Sequence, residues 1–402
     1  MLDRVWEEGL IKMNIELLFS KRIKSKDESI RTKMLNIAKD LEDVIALGRG
    51  DPDLDTAPHI IESASQALKN GATHYTHPQG IEELRVNICE HLHKFHKLNY
   101  EKEEIVVTAG GQCAIFTSIL ALIDKDDEVI IPSPGYGSYD QAVEMAGGKI
   151  VKLKLNEEND FAITAEDLEK VITIKTKIFC LINPSNPTGA ITPPDEIEKI
   201  ANLLKNKNII VISDEIYSRL PFNNQKIISF ASLENMKEKT ITINGFSKAY
   251  SMTGWRIGYI ASDKKLIKIL AEIHHGLNIC APAVSQHAAI AALTGPQNTV
   301  SEALKIYQKR KDIMCDTLDK LSLSYGKPGG GFYVYANVSS CGMSATNFCI
   351  ELLKSEKLMI FPGILFGDYV DNYLRISLLQ PENKIIEACN RLENFVNQIK
   401  KT

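Results

Sequence analysis

From about residue 105 the chain alternates short, nearly unbroken apolar runs with longer stretches whose apolar residues recur at helical spacing. The runs are 105-IVVTAG, 128-EVIIPSPGY, 178-IFCLINPSNPTG, 209-IIVISDEIY, 240-TITINGFSK and 257-IGYIAS. β-Branched runs without polar alternation are strands buried on both faces, and helical stretches between them supply the covering layers. The pattern therefore predicts an α/β fold with a mostly parallel sheet. Gly, Pro and polar residues cluster just after the C-terminal ends of these runs, where open α/β sheets bind ligands. A site assembled from several separate strand ends follows.

The flanks are patterned differently. Residues 14–50 are charged with helical spacing, and the C-terminal part begins with 301-SEALKIYQKRKDIMCDTLDKL and continues through 331-GFYVYANV to a terminal helix. Thr294-Gly295-Pro296 is a natural helix stop. The expected organisation is a large central domain, 51–295, between an N-terminal segment, 1–50, and a C-terminal part, 296–402, the two flanks joining into a small α+β domain.

Composition narrows the class. The chain has 402 residues, 44% apolar and 24% charged, the balance of an ordinary globular protein. A net charge of -4 argues against a nucleic-acid binder, whose phosphate contacts need clustered Lys and Arg. No unbroken apolar run reaches the roughly 18 residues of a membrane helix. The eight cysteines form no C-x-x-C pair and none has a neighbouring His at zinc-like spacing, so reduced, mostly buried thiols and no metal site are expected. Asp3, Glu7 and Glu8 stand where a secretory signal would carry cations, which points to the cytoplasm. Glu7-Glu8-Gly9 also needs purine-rich codons upstream of Met13, the mark of a ribosome-binding site read through. Met13 is then a second candidate start beside Met1, and intact mass of the natively expressed protein would decide between them.

The chemistry concentrates in 244-NGFSKAYSMTGWRIGY. A lysine at the end of a buried strand is partly desolvated, which lowers the ammonium pKa and frees an amine nucleophile, so Lys248 is the candidate. At two other strand ends stand Asp214 with Tyr217, in 212-ISDEIYSRL, and Asn186, in 183-NPSNPTG. A carboxylate for a protonated ring nitrogen, with a phenol and an amide for a ring oxygen, are the groups an aromatic pyridinium cofactor needs. Strand 105-IVVTAG runs into Gly110-Gly111-Gln112 and an apolar helical stretch, whose first N–H groups would face an anion. Arg256 adds a fixed charge of fork geometry suited to phosphate.

The ordered set 50-GDPDLDTAPHI, 75-YTHPQGIEELR, 108-TAGGQCAIF, 132-PSPGYGSY, 183-NPSNPTG, 213-SDEIY, 247-SKAYSMTGWRIGY, 328-PGGGFYV and 374-LRIS resembles the fold-type I pyridoxal-phosphate enzymes. Within them it is similar to the class I aminotransferases of the aspartate and aromatic group, over residues 20–395. The resemblance implies pyridoxal 5'-phosphate as cofactor and a ping-pong exchange between an L-amino acid and a 2-oxo acid through an internal aldimine on Lys248. Asp214 would pair with the ring nitrogen, Asn186 and Tyr217 would bind the phenolic oxygen, and Tyr136 would stack on the ring. Gly110, Gly111, Gln112, Ser247 and Arg256 would hold the phosphate. Tyr75 would reach the phosphate of a neighbouring subunit, giving a homodimer with shared sites. Gly50, Asn186 and Arg375 would hold the substrate α-carboxylate. One departure is Gly245, where many relatives carry a phosphate-binding serine; another is Arg49, which would favour acidic or polar side chains if it pointed inward and is otherwise a solvated arginine. Two alternatives accompany this reading: a C–S β-lyase or cyclopropane-forming synthase on the same scaffold, and a non-catalytic ligand-sensing module.

Overall fold

The computed structural model of the chain describes residues 18–20, 29–367 and 370–400; the candidate start at Met13 and the acids before it lie outside these. Its strands, in chain order, are β1 (Ile45–Ala46), β2 (Ile105–Thr108), β3 (Glu128–Ser133), β4 (Lys149–Lys154), β5 (Thr176–Ile182), β6 (Ile210–Asp214), β7 (Thr240–Gly245), β8 (Gly258–Ala261), β9 (Tyr333–Asn337), β10 (Leu358–Met359), β11 (Phe361–Pro362) and β12 (Tyr373–Ser377). Seven form one sheet in the order β2-β8-β7-β6-β5-β3-β4. Neighbours are parallel except at β8, which runs antiparallel to both β2 and β7.

Every residue of β2, β3, β7 and β8 is buried, which is why these runs lack polar alternation. β4 escaped the sequence pattern for the opposite reason. It is an edge strand carrying Lys149, Lys152 and Lys154, with Leu153 alone fully buried, and edge lysines discourage pairing with other chains while breaking up the apolar run. The direction of β8 also has a local cause. Parallel neighbours need a crossover, usually a helix, and residues 246–257 between β7 and β8 contain no regular helix.

Helices Gly111–Leu122, Ser138–Ala146 and Lys264–Asn278 cover one face of the sheet, above a core that includes Val106, Ile131, Ile212 and Ile243. Phe179, Leu181, Val211 and Phe230 pack with Pro194–Leu204 on the other. A second core draws on both ends of the chain: Met34, Ile45 and Leu47 share it with Phe332, Leu352, Leu374 and Leu392. There β1 pairs with β10, and β9, β12 and β11 form a three-stranded antiparallel sheet. All eight cysteines are free thiols, five of them buried. No helix among the described residues is long and apolar enough to cross a membrane.

The large sheet fixes where chemistry can happen. The C-terminal ends of β2, β3, β5, β6 and β7 lie along one edge, and because β8 runs the other way, the residues just before it meet that same edge.

Candidate active site

Along this edge lies a cavity of about 650 Å³, lined by Tyr136, Asn186, Asp214, Tyr217, Lys248 and Arg375. Gly50, Gly111, Gln112, Ser247 and Arg256 line it too. Of the residues singled out from the sequence, Gly110 stands just behind the wall. Tyr75 is not part of the lining: it is 78% exposed.

Lys248 follows β7 and donates from Nζ to the Gly50 carbonyl at 2.6 Å. Burial lowers its pKa to about 8; Asp51 and Asp214 oppose that shift, while Arg375 and Arg256 add to it. Asp214 ends β6, the neighbour of β7. The Tyr139 hydroxyl donates to its Oδ2 at 3.0 Å and the Ile216 N–H to its Oδ1 at 3.2 Å. Burial raises its pKa to about 6, with these two donors and Lys248 pulling the other way. Tyr139 was missed in the sequence, where its place on the apolar face of a helix reads as core. Glu215, next in the chain, is pushed up to about 7 by burial, held by the Ser213 and Ser229 hydroxyls at 2.8 and 2.6 Å.

Arg375, on β12, donates to Asn186 Oδ1 at 3.2 Å and to the Gly48 carbonyl at 2.5 Å. Its guanidinium lies 4.4 Å from the Tyr333 ring centroid and 4.1 Å from that of Phe366. Its Nε is buried without a hydrogen-bond partner, an unmet donor on a group that binds carboxylates in paired fashion. Tyr333 is the second omission. Its ring underlies Arg375 and its hydroxyl would lie 2.1 Å from a Cβ at position 50, so that position has to be glycine. The motif 328-PGGGFYV contained it, but adjacent aromatics on a buried strand do not announce which one faces a site.

At the other end of the cavity, helix Gly111–Leu122 begins without a side-chain cap, leaving N–H groups at the positive end of the helix dipole. Gly110 has φ +82°, and a Cβ there would lie 2.6 Å from Arg256 Nη2. The glycine thus lets the guanidinium close over the helix start. Arg256 is exposed and is positioned by a 2.9 Å bond to the Thr253 carbonyl. The missing serine at Gly245 also has a reason: a Cβ there would come within 2.9 Å of Gly258 Cα and 3.1 Å of the Ile257 carbonyl. Arg49 is exposed at the cavity wall, and Arg31, unremarked in the sequence, joins it there.

A family model described as aminotransferase class I and II matches residues 42–392. The chain belongs to this family. An aspartate aminotransferase of Pyrococcus abyssi is 36% identical, covering 92% of this chain and 96% of its own length. An aromatic-amino-acid aminotransferase of Thermococcus litoralis is 34% identical over 96% of this chain and 100% of its own. The crystal structure of an aromatic aminotransferase from Pyrococcus horikoshii superposes with a TM-score of 0.87 at 35% identity, covering 92% of this chain and 100% of that one. The fold is that of the fold-type I enzymes, and the protein is a pyridoxal-phosphate-dependent aminotransferase. These likenesses give the lyase alternative no support.

The cavity of this aminotransferase suits that cofactor. A carboxylate held among neutral donors lacks the cation that a protonated ring nitrogen would bring. An uncapped helix start beside an arginine, with no Cβ between them, suits a phosphate.

Proposed function

We propose that this aminotransferase divides its labour among the residues as follows. Arg256 and the first N–H groups of helix Gly111–Leu122 hold the cofactor phosphate, with Gln112 and Ser247 alongside. Tyr136 covers the ring face, Asn186 and Tyr217 hold the phenolic oxygen, and Asp214 holds the proton on the ring nitrogen. Arg375 takes the substrate α-carboxylate, assisted by Asn186 and the backbone at Gly50. Bound pyridoxal phosphate supplies the sink for the electrons left when the substrate Cα–H bond breaks. Lys248 would take that proton from Cα and return it two atoms along, on the far side of the substrate nitrogen. A lysine near pKa 8 is suited to both halves of this transfer close to neutral pH. The cycle runs in two halves, an amino acid leaving as its 2-oxo acid before a second 2-oxo acid arrives.

The observation that carries this assignment is the pairing of Lys248 and Asp214 at the ends of adjacent strands, the one half-buried and the other buried, and both shifted toward neutrality. The test is a screen of the purified protein with each amino acid plus 2-oxoglutarate, pyruvate or oxaloacetate. Amino transfer that disappears in Lys248→Ala supports the assignment, and transfer retained in that variant overturns it.

We also propose a cytoplasmic homodimer with a large domain over 51–295 and a small one from 1–50 and 296–402. Tyr75, exposed and absent from its own chain's cavity, is free to reach a neighbouring site. Eight unpaired thiols suit a reducing compartment. Sedimentation of the purified protein as a monomer at micromolar concentration would refute the shared-site arrangement.

A further inference from the structure

A second cavity, of about 850 Å³, opens on the far side of the strand end that carries Asp214 and Tyr217. Its walls come from the end of helix Glu82–His96, the segment 218–227 and the first turns of helix Asn298–Lys320. Its size falls within the roughly 300–1,000 Å³ typical of small-molecule sites.

The lining is electrically one-sided. Arg219 and Lys305 contribute cations, and no lining residue is an acid. Neither forms an ion pair among the described residues. The Arg219 guanidinium stands over Phe95, 3.7 Å from the ring centroid, with the Tyr250 and Tyr259 phenols and the His91 and His96 imidazoles also near it. Its Nη1 is buried with no hydrogen-bond partner. Buried charges are ordinarily paired, because desolvation without a counter-charge is costly.

Two further features point the same way. Helix Asn298–Lys320 starts without a side-chain cap and without an acid in its first turn, and Val300 and Ser301 of that turn line the cavity, so the positive end of the helix adds to the field. His96 also lines it, 8% exposed, with both ring nitrogens lacking partners. The nearest acid on the helix, Glu302, accepts from Asn298 at 3.2 Å, and Glu215 lies behind His96, 4.0 Å from Nδ1. Phe95, Val300, Leu304 and Ile227 form an apolar stretch of wall, and the neutral side chains of Asn223, Asn224, Gln308 and Ser218 also belong to the lining.

We propose that this cavity binds a small organic monocarboxylate with an apolar body, its carboxylate on Arg219 and Lys305 and its body against Phe95, Val300 and Leu304. No residue assigned to the catalytic cavity belongs to it, so occupancy of one leaves the other open. The backbone of Ser218–Arg219 connects it directly to Tyr217.

The test is calorimetric titration of the pyridoxal-phosphate-loaded enzyme with benzoate, in wild type and in Arg375→Lys, Arg219→Gln and Lys305→Gln. The expected result is one saturable class per chain that survives Arg375→Lys. Arg219→Gln should weaken it about tenfold, as loss of a paired charge-assisted contact does, and Lys305→Gln a few-fold. Inorganic phosphate, lacking the apolar body, should bind more weakly than benzoate. Loss of benzoate binding in Arg375→Lys would put the ligand in the catalytic cavity and overturn the proposal. Unchanged affinity in Lys305→Gln, whose exposed position keeps folding out of the comparison, would overturn it too, as would phosphate binding tighter than benzoate.

Discussion

Replacing Lys248 by Met should make the cofactor-stripped protein more stable while ending turnover. The magnitude follows from the lysine's surroundings. Its pKa falls from the ordinary 10.5 to about 8 because the ammonium is taken out of water, and 2.5 units at about 1.36 kcal/mol each is about 3 kcal/mol of destabilisation at neutral pH. Methionine fills similar space without a charge, but it leaves the Gly50 carbonyl without the 2.6 Å donor, which returns about 1 kcal/mol. A net gain of about 2 kcal/mol at pH 7 remains. The sign with pH is fixed by linkage. Between pH 8 and 10.5 the unfolded chain binds a proton at this residue that the folded chain does not, so wild-type stability rises with pH through that window relative to the variant. Urea denaturation of both stripped proteins at pH 7 and at pH 10.5 measures the difference. Its loss at the higher pH is expected. Equal stability at pH 7, or a gap that widens toward pH 10.5, would refute the reasoning.

Three further outcomes can be measured. Tyr139→Phe removes a charge-assisted hydrogen bond to Asp214 of about 1.5–3 kcal/mol; the carboxyl pKa should rise by about one to two units. The acid limb of the kcat profile should move up with it, whereas a merely structural role would lower kcat at all pH values alike. Asp53→Ala should destabilise the protein by about 3–5 kcal/mol, because Arg310 is bound to it through two bonds of 2.7 and 2.8 Å and would keep a buried charge; thermal unfolding reports this, and a loss under 1 kcal/mol would contradict it. Gly245→Ser should cost about 1–3 kcal/mol through overpacking against Gly258, read from the urea midpoint without gain in cofactor affinity.

Residues that act at strand ends were legible because the same segment carries the strand signal and the chemistry. Lys248, Asp214 and Asn186 each terminate or follow an apolar run, and the parallel sheet then brings those ends together without further information. Arg256 was found as a fixed charge in the same motif as Lys248, yet its place at the same edge depends on the reversed direction of β8, which an apolar run of four residues does not encode. Tyr139 and Tyr333 were not legible. Both are aromatics among apolar neighbours, and burial alone gives such residues a sufficient reason to be where they are. What distinguishes them is the group opposite: Asp214 for one, Arg375 for the other, each far away in sequence. The second cavity was invisible for the same reason, since residues 95–96, 218–227 and 300–308 carry no shared pattern and meet only in three dimensions.

The catalytic cavity gathers charges that a stable core would exclude. Asp214 and Arg375 are each 5% exposed and Lys248 is half-buried, yet their protein partners are mostly neutral carbonyls, amides and a phenol. Neutral donors and acceptors compensate a buried charge incompletely. The deficit is chemically specific: Asp214 has only neutral donors bound to it, with the Lys248 charge acting from further off, Arg375 Nε lacks an acceptor, and Lys248 is shifted toward losing its proton. A protonated ring nitrogen, a substrate carboxylate and a carbonyl carbon are the complements of these three. Ligand affinity therefore arises in part from relief of strain already present in the empty site, and the empty protein is correspondingly less stable than its core would allow. The same residue then pulls in opposite directions on stability and on turnover, which is why the lysine substitution that stabilises the stripped chain is also the one that silences it.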